Sequence, residues 1–440
     1  MFADLLAEAP FRFLINKYLN ILSDALIAKI IVEFSIQKFN TMKNLFTSLV
    51  GAMLVILAIL PVVVHSQIVS APGGGLWNTP STWIGGTVPT AATDVIINST
   101  VSVNGGSCRN LQVNAGGLLQ NSPASSYNLF VNGTLVNNGT IANNINYGLI
   151  VYVTGNFTNN GSMSNNTITL NGTSNQQISS GPTMSIANFT KNTTNGRAIA
   201  VTSLSFTGTV LSLNTDTLEL AGSSELTMDG GYITNGVIYK SSLPALKLTA
   251  GNGTYATSVT VTSPQTEFYG SMQFFGSNNY FRDNFINYGI LENYPTTTYT
   301  LNIAGNITNF GTIRNSSSYL FNVNITGNVA NHGTWDNNQM ILSGNNNQEI
   351  SMTQAVTCTQ LQRYLSAGRV KATSALEFEG TEIILSGDTL EFTTGSALTL
   401  NGGNLYNGVV LKQALPALVL SNSNGTYYHL INVNAVEATL

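Results

Sequence analysis

The chain has 440 residues, more than one compact core ordinarily organises, so it is either several domains or one elongated repeat. Charged residues make up only 8% of it, against about 25% in an ordinary globular protein, and the formal net charge is -4 with a pI near 5.4. That balance excludes a charge-extended disordered chain and gives no clustered basic surface for nucleic acid, while 43% apolar residues among many Gly, Asn, Ser and Thr mark a turn-rich β-protein.

Residues 1–41 are helix-prone, as in LLAEAPFRFLINKYLNILSDALIAKIIVEF, with the apolar spacing of an amphipathic helix. They precede MKNLFTSLVGAMLVILAILPVVVHSQ, residues 42–67, which has a basic start at Lys43, an apolar run, and Val64 and Ser66 ahead of a cut before Gln67. Those are the three parts of a secretory signal peptide, so residues 42–66 are read as the signal, Met42 as the native start, and 1–41 as an upstream extension. The run 45–64 is also just long enough to anchor in a bilayer. Contact with a membrane is expected only through this segment, and the destination is the cell surface or the medium.

The head, residues 67–106, contains GGGLWNTPSTWIGGTVPTAATDVIINSTVSV, with Trp77, Trp83, Gly85, Gly86, Pro89 and Asp94 ahead of a strand at 95–97. Over about 77–119 this order resembles the opening of the eight-glycine domain and related heads of large secreted bacterial proteins. The resemblance implies an all-β, right-handed helical module with adhesive or carbohydrate-related roles, and cargo of the type IX secretion route. From the residues themselves, Trp77 and Trp83 are either a lid over the first coil or an aromatic platform for sugar rings. Their place before the first strand favours the lid, with Pro89 discouraging pairing at the edge.

Beyond the head the chain repeats itself at two scales. GNFTNNGSMSNN from Gly155 returns as GNVANHGTWDNN from Gly327, DTLEL from Asp216 as DTLEF from Asp388, and PALKL from Pro244 as PALVL from Pro416, all at one constant offset of 172 in the numbering. The residues therefore divide into copy 1, 107–278, and copy 2, 279–440; the second stops near the end of its unit, and because a solenoid ordinarily needs a capping element at each end the chain is read as a fragment. Within each copy a finer beat appears, since Gly117, Gly139 and Gly161 are evenly spaced and so are Gly289, Gly311 and Gly333. Asn137, Asn159, Asn287, Asn309 and Asn331 each stand two places before a glycine, and Leu135, Phe157, Ile307 and Val329 supply the alternating apolar positions.

This pattern predicts an all-β fold, a right-handed parallel β-helix of coils about 22 residues long, duplicated in tandem and preceded by the helical segment. The Asn and Gly are expected to turn the chain at corners through left-handed backbone angles, with stacked asparagines forming an amide ladder. From about Gly208 and Gly380 the glycine beat fades and irregular coils are expected. Asn-x-Ser/Thr triplets at Asn132, Asn156, Asn171, Asn252 and Asn424 match the glycosylation acceptor pattern, which this composition produces by itself.

Chemistry-bearing constellations are sparse. Cys108 and Cys358 stand too many layers apart for a disulfide and read as small buried hydrophobes. Asp216 with Glu219, repeated as Asp388 with Glu391, puts acids three apart on opposite strand faces. Glu377, Glu379 and Glu382 have Ser205, Thr207 and Val210 as their counterparts in copy 1, so they belong to a solvated face and not to the shared design. His332 and His429 are isolated, no Gly-x-Ser-x-Gly elbow occurs, and neither cofactor nor metal is expected.

The reading is an extracellular structural or adhesive solenoid without catalysis, whose partners are polysaccharide or cell-surface glycans. The alternative is a carbohydrate-binding or polysaccharide-degrading β-helix, suggested by Phe274, Phe275, Tyr288 and Tyr294. Ice binding ranks below both, because triplets such as Thr260 to Thr262 do not recur at coil spacing.

Overall fold

The computed structural model describes residues 66–192, 195–316, 319–364, 367–395, 397–423 and 425–439, together with Glu33, Gln37, Lys38, Thr41 and Met42, which are helical. The export segment and nearly all of the upstream helix lie outside the described residues. No helix among the described residues is long and apolar enough to cross a membrane. The chain divides into two compact units, Met1–Val64 and His65–Leu440, and all that follows concerns the second.

That unit is a parallel β-solenoid of about 16 turns. Each regular coil lays down three short strands. In copy 1 the first face holds Tyr127–Val131, Leu149–Val153, Thr167–Leu170 and Asn188–Lys191. The second holds Leu135–Asn137, Phe157–Asn159, Gln176–Ser180 and Ala198–Ala200, and the third Thr140–Ala142 and Ser162–Ser164. Strands this short persist because every backbone donor and acceptor finds its partner in the coil above or below. Alternation does the rest: Leu149, Val151 and Val153 are buried while Ile150 and Tyr152 between them are partly exposed. Inward Leu, Ile, Val and Phe fill the bore, each fully buried side chain contributing about 1.5–3 kcal/mol.

The head is continuous with this stack. Gln67 lies opposite Asp94 and Val95 opposite Leu111, so the segment expected to precede the solenoid forms its first coil, with Trp77 and Trp83 between the paired strands.

The coil beat does not fade where the glycines do. Leu204 stacks on Leu226, Leu226 on Leu248 and Leu398 on Leu376, the same spacing that separates Gly117 from Gly139. Register slips instead at Met228/Gly231 and Thr262/Gln265, as the chain approaches and crosses the junction of the copies. The beat is carried by apolar residues after the Asn-x-Gly marker is gone.

The junction permutes the faces. The second-face strands climb from Leu135–Asn137 through Phe157–Asn159 and Gln176–Ser180 to Ala198–Ala200, and from Ala198 the ladder runs through Leu218, Ile238, Val261 and Phe281 to Ile303. Ile303 is the copy 2 counterpart of Val131, a first-face residue. The duplicated unit is not a whole number of coils, so copy 2 is displaced by one face around the axis.

Candidate functional site

The repeated asparagines lie inside the corner. Asn137, Asn159, Asn287, Asn309 and Asn331 are fully buried. Asn137 Nδ2 donates to Asn159 Oδ1, Asn287 Nδ2 to Asn309 Oδ1, and Asn309 Nδ2 to Asn331 Oδ1, each at 2.8 Å. Gly139 N and Gly289 N donate to Asn137 Oδ1 and Asn287 Oδ1 at 3.2 and 3.1 Å. These amides thus join successive coils, and those of Asn137 and Asn287 also close their own corners.

The reason for the glycines differs from the expected one. Gly139, Gly161, Gly289, Gly311 and Gly333 are not among the residues with positive φ, and neither are the five asparagines. A Cβ at Gly161 would run into Gly139 O, at Gly311 into Gly289 O and at Gly333 into Gly311 O. Close stacking of successive corners excludes a side chain there, whereas a left-handed turn is not involved.

Buried cations pin other corners. Lys191 is fully buried with Nζ 3.2 Å from Asp216 Oδ2 and 3.5 Å from Gly172 O. Its counterpart Arg363, equally buried, donates from Nε to Asp388 Oδ2 at 2.7 Å. Its other nitrogens reach the carbonyls of Leu342, Gly344 and Gly368 and the side chain of Gln348. Glu219 pairs outward with Arg197 at 3.0 Å, and Glu391 with Arg369 at 3.4 Å. The repeated acids are therefore fasteners between coils. Glu377 and Glu379 are exposed, Glu377 accepting from Asn401 Nδ2 at 3.3 Å.

Trp77 and Trp83 are 0% and 2% exposed, their rings near-perpendicular at 5.1 Å, and Trp83 Nε1 donates to Trp77 O at 2.7 Å. Rings so covered have no open face for a sugar; they pack within the first coil, after the strands Gln67–Val69 and Gly75–Leu76. Beside them Arg109 Nε donates to Asp94 Oδ1 at 2.8 Å, as does Asn110 Nδ2, and the guanidinium holds the Asp94 carboxyl below its usual range. Cys108 and Cys358 are free and buried, and burial pushes both thiols up, Cys358 to about 12.

The larger aromatic groups at the surface, among the described residues, are two. Tyr269, Tyr288, Phe310 and His332 form a ladder with centroids 5.1, 5.3 and 5.0 Å apart and planes within 11°, 7° and 18°. Tyr288 and Phe310 are 44% and 48% exposed within this single stacked column. The second group, at the junction, is built differently. Tyr232 and Tyr255 lie 4.9 Å apart at 31°, Tyr294 stands at 81° to Tyr255, and Phe275 at 74° to Tyr294 and 49° to Tyr299. Tyr232 and Phe275 are 40% and 42% exposed. Of the aromatics that stand out in the sequence, Phe274 is core, Tyr288 belongs to the ladder, and Phe275 and Tyr294 to this cluster. Tyr232, Tyr255 and Tyr299 carry no mark in the sequence, since only coil stacking brings them together.

The same face carries a hydroxyl row that sequence spacing conceals: Thr190, Ser212, Thr234 and Thr257 pair in register although Thr-x-Thr triplets do not recur at coil spacing. A shallow groove of about 340 Å³ in copy 2 runs past Asn284, Asn306 and Asn328. Their side-chain oxygens are occupied by Asn306 Nδ2, Asn328 N and Glu349 N at 2.8–2.9 Å.

No protein-family model, curated protein or solved structure matches this chain.

Proposed function

We propose that this protein is an extracellular, non-catalytic rod that gives a cell surface structural or adhesive reach. About 16 turns at the strand spacing amount to a length on the order of 70–80 Å. One observation carries the reading: the repeated charged residues that could have served chemistry are engaged in holding coils together, Lys191 and Arg363 on Asp216 and Asp388, Arg197 and Arg369 on Glu219 and Glu391. A general acid or base must be free to exchange a proton with substrate, and a carboxylate clamped by a buried cation is poorly suited to that. The export-like segment 42–66 and the resemblance of the head to secreted β-helical proteins support the extracellular assignment.

Two assays test it. Antibody labelling and protease shaving of intact source cells should reach the chain, and incubation with plant, algal and bacterial polysaccharides should release no new reducing ends or unsaturated sugars. Protection of the protein inside intact cells, or turnover of any polysaccharide, would overturn the reading.

A further inference from the structure

We propose that the junction cluster of Tyr232, Tyr255, Phe275, Tyr294 and Tyr299, with the hydroxyl row beside it, is a binding site for a neutral polysaccharide. The inference rests on the adhesive reading and gives it a ligand class.

Tyr255 and Tyr299 recur in the other copy as Tyr427 and Tyr127, but Tyr232 and Tyr294 are additions to the shared scaffold. Tyr232 has Asn404 as its counterpart in copy 2, and Tyr294 has Ser122 as its counterpart in copy 1. Asn404 occupies the same place in its ladder, opposite Glu382, as Tyr232 does opposite Val210. The repeat geometry is kept without an aromatic ring at either position.

Ring orientation separates this group from the ladder of Tyr269, Tyr288, Phe310 and His332. A sugar presents a C–H face that packs on an open aromatic face, with hydroxyls around its rim. The ladder rings form one near-parallel column at about 5 Å, whereas the junction rings cross at 74–81° around Tyr294, so the cluster presents a mixed surface of ring edges and faces instead of a single stack. Four of the five rings are tyrosines, and the Tyr299 hydroxyl lies 3.1 Å from Thr296 Oγ1, so the apolar surface is edged with hydrogen-bonding groups. A protein or lipid partner favours a broader uninterrupted apolar patch.

Charge indicates the class. Burial, and then Tyr294 and Tyr232, raise the Tyr255 phenol, and no carboxylate or cation contributes. The two outward rows of this face, from Asn128 and Phe130 to Tyr255 and Thr257, contain no charged residue. An anionic polymer would find no counter-charge, while an uncharged one gives up little on leaving water.

The direction follows from the stack. Thr257, Thr234, Ser212 and Thr190 continue from the cluster one coil at a time, and further along the same rows Tyr152 stacks on Phe130 at 4.9 Å. A chain laid parallel to the axis meets rings, then hydroxyls, then rings. Tyr232, Tyr255 and Tyr299 and the hydroxyl row are fixed on strands, and Phe275 and Tyr294 directly follow strand ends, so most of the site is formed before ligand arrives.

Affinity electrophoresis of the full chain through gels containing soluble β-glucan, galactomannan or xyloglucan, with alginate as the anionic comparison, tests this. We expect retardation by at least one neutral polymer and none by alginate. Tyr232→Ala with Tyr255→Ala should weaken binding by roughly tenfold or more, while Tyr288→Ala with Phe310→Ala, which removes two similarly exposed rings from the stacked ladder, leaves it unchanged. Circular dichroism reports whether each variant keeps its β-structure, and the milder Tyr232→Leu serves if the double variant does not. Retardation by no neutral polymer, by alginate alone, or equally in the Tyr232→Leu and parent chains, overturns the site. Surface exposure and absence of turnover would still stand, so the two readings fail separately.

Discussion

Replacing Asn309 by alanine takes out the middle rung of the copy 2 amide ladder. Its Oδ1 accepts from Asn287 at 2.8 Å, and its Nδ2 donates to Asn331 Oδ1 at 2.8 Å and to Thr334 O at 3.0 Å, all in a fully buried corner. Alanine leaves Asn331 Oδ1 and Thr334 O short of a donor, while Asn287 Nδ2 keeps only a 3.4 Å contact with Thr312 O. At about 1–3 kcal/mol for each buried polar group left unmatched, the loss is about 3–5 kcal/mol. Solenoids open regionally, so a single melting temperature dilutes such a change. Native-state hydrogen exchange at the amides of Phe285, Ile307 and Val329 reads it locally. Thr308→Ala, on the outward side of the same strand, should stay within about 0.5 kcal/mol. If Asn309→Ala speeds exchange no more than Thr308→Ala, the ladder does not hold the coils together and the physical account of the repeat is wrong.

Arg363→Ala strands the Asp388 carboxylate in a buried corner and should cost about 3–5 kcal/mol, whereas Arg363→Lys, which restores the residue type found at Lys191, should keep most of the stability; urea unfolding of both variants checks the difference. The Asp94 pair is pH-dependent. Its folded pKa lies below the unfolded value, so its contribution is complete above the unfolded carboxylate range and disappears as pH falls through the folded pKa. Asp94→Asn should therefore be less stable than the parent at neutral pH, with the gap closing in acid, as denaturation series at several pH values will record. Cys108 and Cys358 should resist thiol reagents in the native chain and react quickly in denaturant, followed by mass spectrometry.

The architecture is legible because glycine and asparagine announce each corner. Why they stand there is not. In sequence, Asn-x-Gly is a turn motif; in the stack, Asn309 is a buried strut and Gly311 a place where the carbonyl of Gly289 leaves no room. The coil beat after Gly208 is hidden for the converse reason, since Leu204, Leu226 and Leu248 keep it with ordinary apolar residues that carry no marker. Trp77 and Trp83 precede the first strand that the sequence suggests, but Gln67–Val69 and Gly75–Leu76 come before them, so both rings are buried within the first coil, with no open face for a sugar. The junction cluster is half visible: Phe275 and Tyr294 stand out, but Tyr232, Tyr255 and Tyr299 join them only after the chain has wound through coils of unequal length. The same unequal lengths hide the displacement of copy 2 by one face.

The stacking register itself is open to a direct chemical measurement. Thr308 and Ala330 lie opposite one another in successive coils, whereas Asn324, nearer to Thr308 along the chain, belongs to the ladder of Asn302 on another face. With cysteines at 308 and 330, mild oxidation should produce an intramolecular disulfide rapidly, strand neighbours being within the ~4.4–6.8 Å Cα range such a bond needs. With cysteines at 308 and 324 it should produce none. Faster closure of the 308/324 pair, or equal closure of both, would contradict the solenoid register on which the fold, the fasteners and the proposed site all depend.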